Sequence, residues 1–307
     1  MTYSLKLIEK NNKDADSFFR RIDMLYTKNN QDPISDSIKT KLFDHSPFLI
    51  KAHLILKDGI PVGILWYELT TKHYGNLSIY LPDTSDIEPA IQLLKEEAVF
   101  KKKILEIIAM DHIEEVKNAC FKADLTANIR KRMYLWLNEA NLDYINQDVE
   151  FDYSFQPYTK DMTAWAAKVS VDSHKISKDY EMYEEMIVVD KRKNLDDRVM
   201  NGLYGDIHQP SSMVLTVDSV KVGYILVVLV ECWGYKQVPW VFDICVDPKY
   251  HGNGYGRLLA NEMIRQIMKD NMEIMGLAVT LSNSVAMSLY QKQGFKDLDI
   301  FYEFVDP

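Results

Sequence analysis

A glycine-rich loop near the C-terminal end of the chain is the first feature whose residue types suggest chemistry. The stretch DPKYHGNGYGRLL, residues 247–259, places glycine at positions 252, 254 and 256, between an apolar run and residues with helical hydrophobic spacing. Amides at a helix N-terminus have no partner within the helix and lie at the positive end of its dipole, so such a loop attracts anions. Because glycine lets a bulky anion touch the backbone, the loop predicts a phosphate site, with His251 and Arg257 beside it.

The spacing of these glycines separates the loop from two familiar nucleotide sites. A Rossmann fingerprint needs G-x-G-x-x-G and an acidic residue about 20 positions further on, whereas this loop reads G-x-G-x-G. A P-loop ends in Gly-Lys followed by Ser or Thr, a pattern that this loop does not contain. The glycines alone also fit a tight turn without a ligand, so their neighbours must decide.

Asp243 is the lone acid inside the apolar run at 238–246. An unpaired carboxylate in a buried strand is costly. Strand alternation places it on the same face as Cys245 and opposite Ile244 and Val246, unless a bulge intervenes. Asp243 can accept a proton from an amine, bind a cationic substrate, or form an internal salt bridge, and the sequence leaves these roles open.

Other candidate side chains give weaker signals. Glu231, at the end of the preceding apolar strand, is a weaker candidate for the same roles, and a solvated surface position is its alternative. His174 and His208 lie in predicted loops that could border a substrate groove, although ordinary surface histidines are more common. The three cysteines, Cys120, Cys232 and Cys245, lack the spacing of a metal site. We therefore expect reduced thiols, no metal, and Cys245 as a small core residue.

Composition narrows the class of protein. A chain of 307 residues with 47% hydrophobic composition is long enough for two domains. The net charge of −9, without a basic stretch carrying aromatic residues, argues against a nucleic-acid partner. Neither a secretory leader nor an apolar run of about 18 residues is evident, so we expect no membrane contact and a soluble, cytoplasmic protein. The sequence does not indicate an oligomeric state.

Hydrophobic periodicity outlines the second half of the chain. Two helical patterns lie between residues 161 and 200 and are joined by the polar stretch 172–175. Further predicted elements are strands at 213–217, 222–231 and 238–246, a helix through 271, a strand at 274–279, a helix at 283–293 ended by Gly294, and an alternating strand at 298–304.

A short internal repeat links the two halves. Asp58, Val62 and Gly63 correspond to Asp218, Val222 and Gly223 at one constant separation, and each copy reads as a hairpin whose second strand opens with Val-Gly. A weaker echo pairs Phe121 with Phe295. We interpret the pattern as an internal duplication.

Two segments resemble the signatures of the GCN5-related N-acetyltransferase (GNAT) superfamily. Residues 243–259 resemble its acetyl-CoA-binding motif, and residues 283–295, NSVAMSLYQKQGF, resemble its second signature, Asn-x-x-Ala-x-x-Leu-Tyr-x-x-x-Gly-Phe. The resemblance covers roughly residues 158–307. His251 departs from the family, which usually has Arg or Gln there, so we expect one weaker side-chain contact.

The resemblance implies that an acetyl group moves from acetyl-CoA to an amine by direct attack, without a metal. It implies that Tyr290 protonates the departing sulfur, although packing or cofactor contact is its alternative role, and that Asn283 contacts CoA, although a helix cap is its alternative. The main chain of Ile244, Cys245 and Val246 would pair with the pantetheine arm, and an amide near Val246 would polarise the thioester. The pyrophosphate site implied by the family comprises His251, Gly252, Asn253, Gly254, Tyr255, Gly256 and Arg257.

The first half lacks the same signatures. Its corresponding loop, residues 83–91, has no glycine and three acids, and Val116 occupies the position of the family tyrosine. We therefore expect an α/β (α+β) fold of two tandem GNAT-like domains, each a mixed, mostly antiparallel sheet flanked by helices. Residues 1–152 would form a degenerate copy without a CoA loop, and residues 153–307 the catalytic copy. The expected activity is N-acetylation of a small-molecule or peptide amine, with a non-catalytic acyl-CoA-binding module as the alternative.

Overall fold

The computed structural model describes residues 1–9, 12–28, 33–43, 50–68, 75–97, 103–107, 112–147, 149, 151–175 and 183–306. The chain forms two compact units. The first unit comprises Met1–Asn128 together with Tyr302–Pro307, and the second comprises Ile129–Phe301. No helix among the described residues is long and apolar enough to cross a membrane.

The first unit is built on strands that are mostly antiparallel. Its elements are β1 Tyr3–Leu7, α1 Lys13–Lys28, α2 Ser35–Phe43, β2 Ile50–Lys57, β3 Ile60–Glu68, β4 Gly75–Tyr80, α3 Ile87–Glu96, β5 Lys103–Ile107, α4 Ile113–Lys122 and the start of β6 Thr126–Trp136. Strands β1 to β5 are neighbours in that order, and β4 and β5 run parallel over five residue pairs, from Gly75 opposite Lys103 to Ile79 opposite Ile107.

The second unit contains the remaining elements. They are the rest of β6, α5 Leu142–Ile145, β7 Tyr153–Pro157, α6 Thr163–His174, α7 Glu184–Ile187, α8 Val189–Met200, β8 Asp206–Ile207, β9 Met213–Val217, β10 Val220–Cys232, β11 Tyr235–Val246, α9 Tyr255–Lys269, β12 Ile274–Thr280, α10 Ser284–Gln293 and β13 Lys296–Val305, whose last residues belong to the first unit. The order β7-β9-β10-β11-β12-β6 is antiparallel except for the parallel pair β11 and β12. Helices α9 and α10 cover one face of this sheet, and α6 and α8 cover the other.

The parallel pair of the second unit opens after a short contact. β11 and β12 are paired only at Trp240 with Gly276 and at Val241 with Leu277. Beyond that point β11 runs on to Val246, and β12 continues to Thr280 while paired with β6 on its other side. The edge of β11 that faces β12 is therefore unpaired from residue 242 onward within the described part of the chain.

Both units contain the repeated hairpin, with the same irregularity. In the first unit the register shifts at Val62, between Pro61 and Gly63, and in the second it shifts at Val222, between Lys221 and Gly223. A Cβ at Gly63 would lie 2.8 Å from the Tyr80 carbonyl oxygen, and one at Gly223 would lie 2.6 Å from the Cys245 carbonyl oxygen. Glycine is thus needed in both copies because a neighbouring strand approaches closely, which supports the inferred duplication.

The predicted strands and helices of the second half agree with the structure, but the prediction omits the helix α8 and the short strands β7 and β8. Helix α6 includes residues 172–174, which the sequence assigned to a polar connection, and residues 180–182 of the second helical pattern lie outside the described residues. The missing helix is α8, whose inward face carries Arg192 and Asp196 besides Val199. Charged residues on that face hid the hydrophobic spacing.

Candidate active site

The glycine-rich loop connects β11 to α9 through a short helical turn at Pro248–Tyr250. The Asp247 carboxylate starts this turn by accepting a hydrogen bond from the Lys249 amide at 3.0 Å. Gly252 and Gly254 then adopt positive φ values of 82° and 78°, a region that most side chains disfavour. These two glycines are therefore required by the path of the backbone.

The start of α9 presents amides without acceptors. The Leu258 amide donates to the Gly254 carbonyl at 3.1 Å, which is the first backbone bond of the helix. The amides of Tyr255, Gly256 and Arg257, which precede Leu258 in the first turn, have no acceptor among the residues that the structure describes. They form a cluster of donors at the positive end of the helix dipole, which is the geometry of an anion site.

Neither the backbone conformation nor the packing of Gly256 requires glycine at this position. It lies within α9 with an ordinary helical backbone, and a Cβ there would meet only Val246 Cγ2, at 3.9 Å. A helical glycine lowers stability by roughly 0.5–1 kcal/mol relative to alanine. Because neither φ nor packing explains this residue, the missing Cβ leaves room above the helix start for a group from outside the chain.

The side chains of the loop mostly brace the loop itself. His251 Nε2 lies 2.8 Å from the Val246 carbonyl oxygen, and Asn253 Nδ2 donates to the Tyr250 carbonyl at 3.0 Å. Arg257 donates to Gln147 Oε1 at 2.8 Å. This arrangement leaves the backbone amides at the start of α9, together with the remaining guanidinium N–H groups of Arg257, as donors for an anion.

The open edge of β11 directly precedes this loop. The Val246 carbonyl accepts a hydrogen bond from Ser173 Oγ at 2.7 Å, besides its contact with His251, so the end of the strand is held by α6. Ile244 and Val246 pack toward the core on the α9 side, whereas Cys245 belongs to the opposite core. The bulge lies at Phe242, before this segment, and the predicted alternation of residues 243–246 is retained.

Asp243 is the centre of a buried polar cluster on the face covered by α6 and α8. Its Oδ2 accepts from Arg192 Nη2 at 2.6 Å, from the Tyr224 hydroxyl and from Ser170 Oγ at 3.2 Å. Burial alone would raise the pKa of this carboxyl, but the guanidinium of Arg192 outweighs burial and the pKa is lowered. Of the roles left open by the sequence, the internal salt bridge is the one that the geometry displays.

The partner of Asp243 was not found in the sequence. Arg192 Nε also contacts Asp196 Oδ1 at 2.8 Å, so one buried guanidinium serves two carboxylates. Burial raises the pKa of Asp196 to about 7, with Arg192 opposing the shift. The spacing Arg192, Asp196, Val199 is helical and was the available signal, because a charged pair four residues apart can share a helix face.

His174 lies near the same cluster, at the end of α6. Its Nδ1 is 2.8 Å from the Ser170 carbonyl oxygen. Polar atoms of His174, Asp243 and Cys245 lie within 4.8 Å of one another, a grouping that could hold a metal ion. Since Arg192 already neutralises Asp243, an ion-pair cluster explains this grouping without a cation.

Tyr290 and Asn283 lie on α10, as the second signature predicts. Tyr290 is 5% exposed and packs on Phe295, and its hydroxyl has no hydrogen-bond partner among the described residues. Burial and, secondarily, the charge of Asp243 raise its pKa, so the phenol stays protonated at neutral pH. Asn283 Oδ1 accepts from the Ala286 amide at 3.1 Å and so caps the helix.

The weaker candidates lie outside this cluster. Glu231 is exposed near the end of β10. His208 is 5% exposed, so it is a buried histidine and not a surface one, and it contacts Ser211 Oγ at 2.7 Å and Asp270 at 3.0 Å. These contacts give His208 a structural role.

The corresponding region of the first unit differs in two ways. β4 and β5 stay paired from Gly75 to Ile79, so the described residues of these two strands form no open edge. At the start of α3, Asp86 is 4% exposed and accepts from Lys57 Nζ and the Tyr3 hydroxyl, both at 2.7 Å. The N-cap residue of α3 thus brings a buried carboxylate to the helix start, although this side chain accepts no hydrogen bond from the helix amides.

Comparison with known proteins shows which family the second half of the chain resembles. The Acetyltransferase (GNAT) family matches residues 175–295. The chain is 40% identical over 60 residues to a [ribosomal protein bS18]-alanine N-acetyltransferase of Haemophilus influenzae and 37% identical over 60 residues to that of Escherichia coli K12. Each match covers 20% of this chain and 40% of the relative. The matches support the prediction of an acyltransferase.

Solved structures show the fold across the whole chain. A tandem GNAT protein from the clavulanic acid biosynthesis pathway is 13% identical, with a TM-score of 0.57, and the match covers 99% of this chain and 98% of that one. A GCN5-related N-acetyltransferase from Sphaerobacter thermophilus is 11% identical, with a TM-score of 0.59, over 98% of this chain and 94% of that one. These likenesses confirm the predicted fold class. Residues 175–295 thus match the Acetyltransferase (GNAT) family, and the chain as a whole has a fold similar to that of a tandem GNAT protein.

Proposed function

We propose that the chain is an N-acetyltransferase that moves an acetyl group from acetyl-CoA to a primary amine by direct attack. Residues 153–307 would carry the activity, and residues 1–152 would form a degenerate copy that binds no CoA. The observation that carries the proposal is Gly256, whose missing Cβ opens the start of α9 although neither its φ nor its packing requires glycine.

The proposed cofactor site has two parts. The amides of Tyr255, Gly256 and Arg257 would hold the pyrophosphate, with the bends at Gly252 and Gly254 aiming them outward. The unpaired edge of β11 would hold the pantetheine arm in the manner of an added strand. Acetyl-CoA would supply the acetyl group as a thioester, and a metal plays no part in the proposal.

Of the two side chains that the sequence offers for catalysis, Tyr290 and Asp243, only Tyr290 is proposed to act on the reacting groups. Tyr290 would donate its hydroxyl proton to the departing thiolate, since burial keeps the phenol protonated. The lowered pKa of Asp243 makes it a weak proton acceptor. We therefore assign Asp243 a positioning role, in which its ion pair with Arg192 fixes β11 beside the bulge at Phe242.

The acceptor is a primary amine on a small molecule or a peptide. The curated relatives acetylate an alanine of ribosomal protein bS18, but the match to them spans 60 residues and 40% of their length. It therefore supports acetyl transfer without selecting the acceptor.

The test measures cofactor binding and turnover separately. Acetyl-CoA is titrated into the whole protein by calorimetry, and free thiol is then followed during incubation with amines, polyamines, aminoglycosides and peptides. Binding together with amine-dependent thiol release supports the transferase. Binding without release by any acceptor indicates the alternative, a non-catalytic acyl-CoA-binding module, and absence of binding refutes both.

A further inference from the structure

A cluster of aromatic rings lies on the sheet of the second unit, where β11 and β12 begin to separate. Trp233 stacks obliquely on Trp240 with ring centroids 5.8 Å apart and meets Tyr134 edge-to-face at 6.4 Å. Tyr235 meets Trp136 edge-to-face at 6.3 Å. Trp233 is 37% exposed and Tyr235 is 36% exposed, so part of the ring surface faces solvent.

The hairpin that carries Trp233 is locally strained. Cys232 pairs with Tyr235, so Trp233 and Gly234 form a two-residue turn, with φ values of 56° and 81°. Such turns favour Asn-Gly, because both central residues have positive φ. A bulky side chain at positive φ is an outlier that persists where its position is otherwise needed.

The neighbouring strand β12 also contains a locally unfavourable residue next to these rings. Gly276 lies inside β12, where glycine weakens a strand. A Cβ at this position would lie 2.6 Å from Trp240 Cζ3 and 2.7 Å from Trp233 Cη2. Gly276 therefore lets both indoles approach the backbone of β12 closely, and two locally unfavourable residues, Trp233 and Gly276, support one partly exposed aromatic surface.

This surface adjoins the proposed reaction centre. Trp240 is paired with Gly276 one residue before the last pair of β11 and β12, and the bulge at Phe242 follows. At a rise of about 3.3 Å per residue, Trp240 lies roughly 7 Å along the strand from that bulge. A ligand whose ring binds on the aromatic surface would place its amine at the open edge of β11 if a short alkyl arm joined the ring to the amine.

We infer that the acceptor is an arylalkylamine, a primary amine joined to an aromatic ring by a short alkyl arm, and that Trp233 and Trp240 bind its ring. The inference rests on the proposed acetyl transfer. Aromatic rings prefer offset or edge-to-face contacts with one another, and the tilted Trp233 and Trp240 rings, 52° apart, offer both. The exposed fraction of Trp233 is the part that the ligand would cover.

The variant that tests this inference is Trp233→Asn. Asparagine tolerates the positive φ of the turn, so the hairpin should form at least as well while one ring is lost. The matched control is Tyr153→Asn, which removes another partly exposed ring, 41% exposed, on β7 at the far end of the strand order of the unit. Both proteins are compared with the unaltered chain.

Two measurements are made on each protein. Phenethylamine is titrated by calorimetry, with butylamine as the reference amine, and kcat/KM for acetyl transfer is then determined for both amines. We expect the unaltered chain and the control to favour phenethylamine. Trp233→Asn should lose about three- to tenfold of that preference, the size of one aromatic contact, and should keep its acetyl-CoA affinity.

The outcomes separate this inference from the proposed function. Equal use or equal binding of the two amines by the unaltered chain, or an unchanged preference in Trp233→Asn, overturns the inference and leaves acetyl transfer standing. If acetyl-CoA does not bind, the proposed function fails. The calorimetric titration of phenethylamine then still decides whether the aromatic surface binds arylalkylamines.

Discussion

Replacing Gly256 by alanine should change fold stability and cofactor affinity in opposite directions. The new Cβ meets only Val246 Cγ2, at the ordinary contact distance of 3.9 Å, within a helix. Alanine should therefore stabilise the fold by about 0.5–1 kcal/mol. For a unit of this size that gain raises Tm by about 1–4 °C.

The same methyl group should weaken acetyl-CoA binding. It is added in the first turn of α9, between the residues whose amides are proposed to hold the pyrophosphate. Displacing one charge-assisted hydrogen bond removes about 1.5–3 kcal/mol, which corresponds to an affinity about 10- to 150-fold lower. Calorimetric titration with acetyl-CoA and thermal unfolding without ligand measure the two effects.

The control is Lys269→Ala, an exposed substitution in the last turn of the same helix. It should leave acetyl-CoA affinity unchanged, because it lies at the opposite end of α9 from the loop. If Gly256→Ala binds acetyl-CoA as tightly as the control, the amides at the start of α9 do not hold the pyrophosphate. If it melts lower than the unaltered chain, the assignment of free space above Gly256 is wrong.

Three further predictions concern named side chains. In the folded protein the pKa of Asp196 is about 7, far above its value of 3.8 in a free chain, so the free energy of unfolding should fall as pH rises from about 4 to 7. Urea unfolding across this range should show a weaker pH dependence of that free energy for Asp196→Asn. An unchanged pH dependence would contradict the assignment. Tyr290→Phe should lower kcat by about 100-fold with unchanged acetyl-CoA affinity, measured by thiol release and calorimetry, whereas full activity would leave the ring only a packing role. Asn283→Asp keeps an oxygen that caps α10, so its Tm should be unchanged. Calorimetry should show weaker acetyl-CoA binding, because a negative charge replaces the amide. Equal affinity would restrict Asn283 to capping the helix.

The sequence was informative wherever local chemistry alone determines structure. The strand of residues 213–217 and the helix ended by Gly294 were predicted at nearly their observed bounds, because hydrophobic period and glycine caps are local signals. Gly252 and Gly254 also follow from local backbone geometry, since both have positive φ. The prediction of a loop that presents amides required no long-range information.

Long-range partners could not be read in the same way. Asp243 was recognised as a costly buried acid, but Arg192 lies 51 residues earlier and nothing local links the two. Trp233, Trp240 and Gly276 likewise meet only because β11 and β12 pair at one register. The opening between these strands depends on where that pairing stops, which hydrophobic patterning does not encode. The roles assigned to Tyr290, Asn283 and the loop residues stay predictions.

Asp86 has a consequence for any attempt to give the first unit a cofactor site. Its carboxylate belongs to the N-cap residue of α3 and is held by Lys57 and Tyr3 without bonding the helix amides, so a buried carboxylate stays close to the start of this helix. Grafting glycines into residues 83–91 would not suffice, because the Asp86 carboxylate would repel an incoming diphosphate. Gain of binding there would require removal of Asp86 as well, together with a new partner for the Lys57 ammonium that it leaves behind.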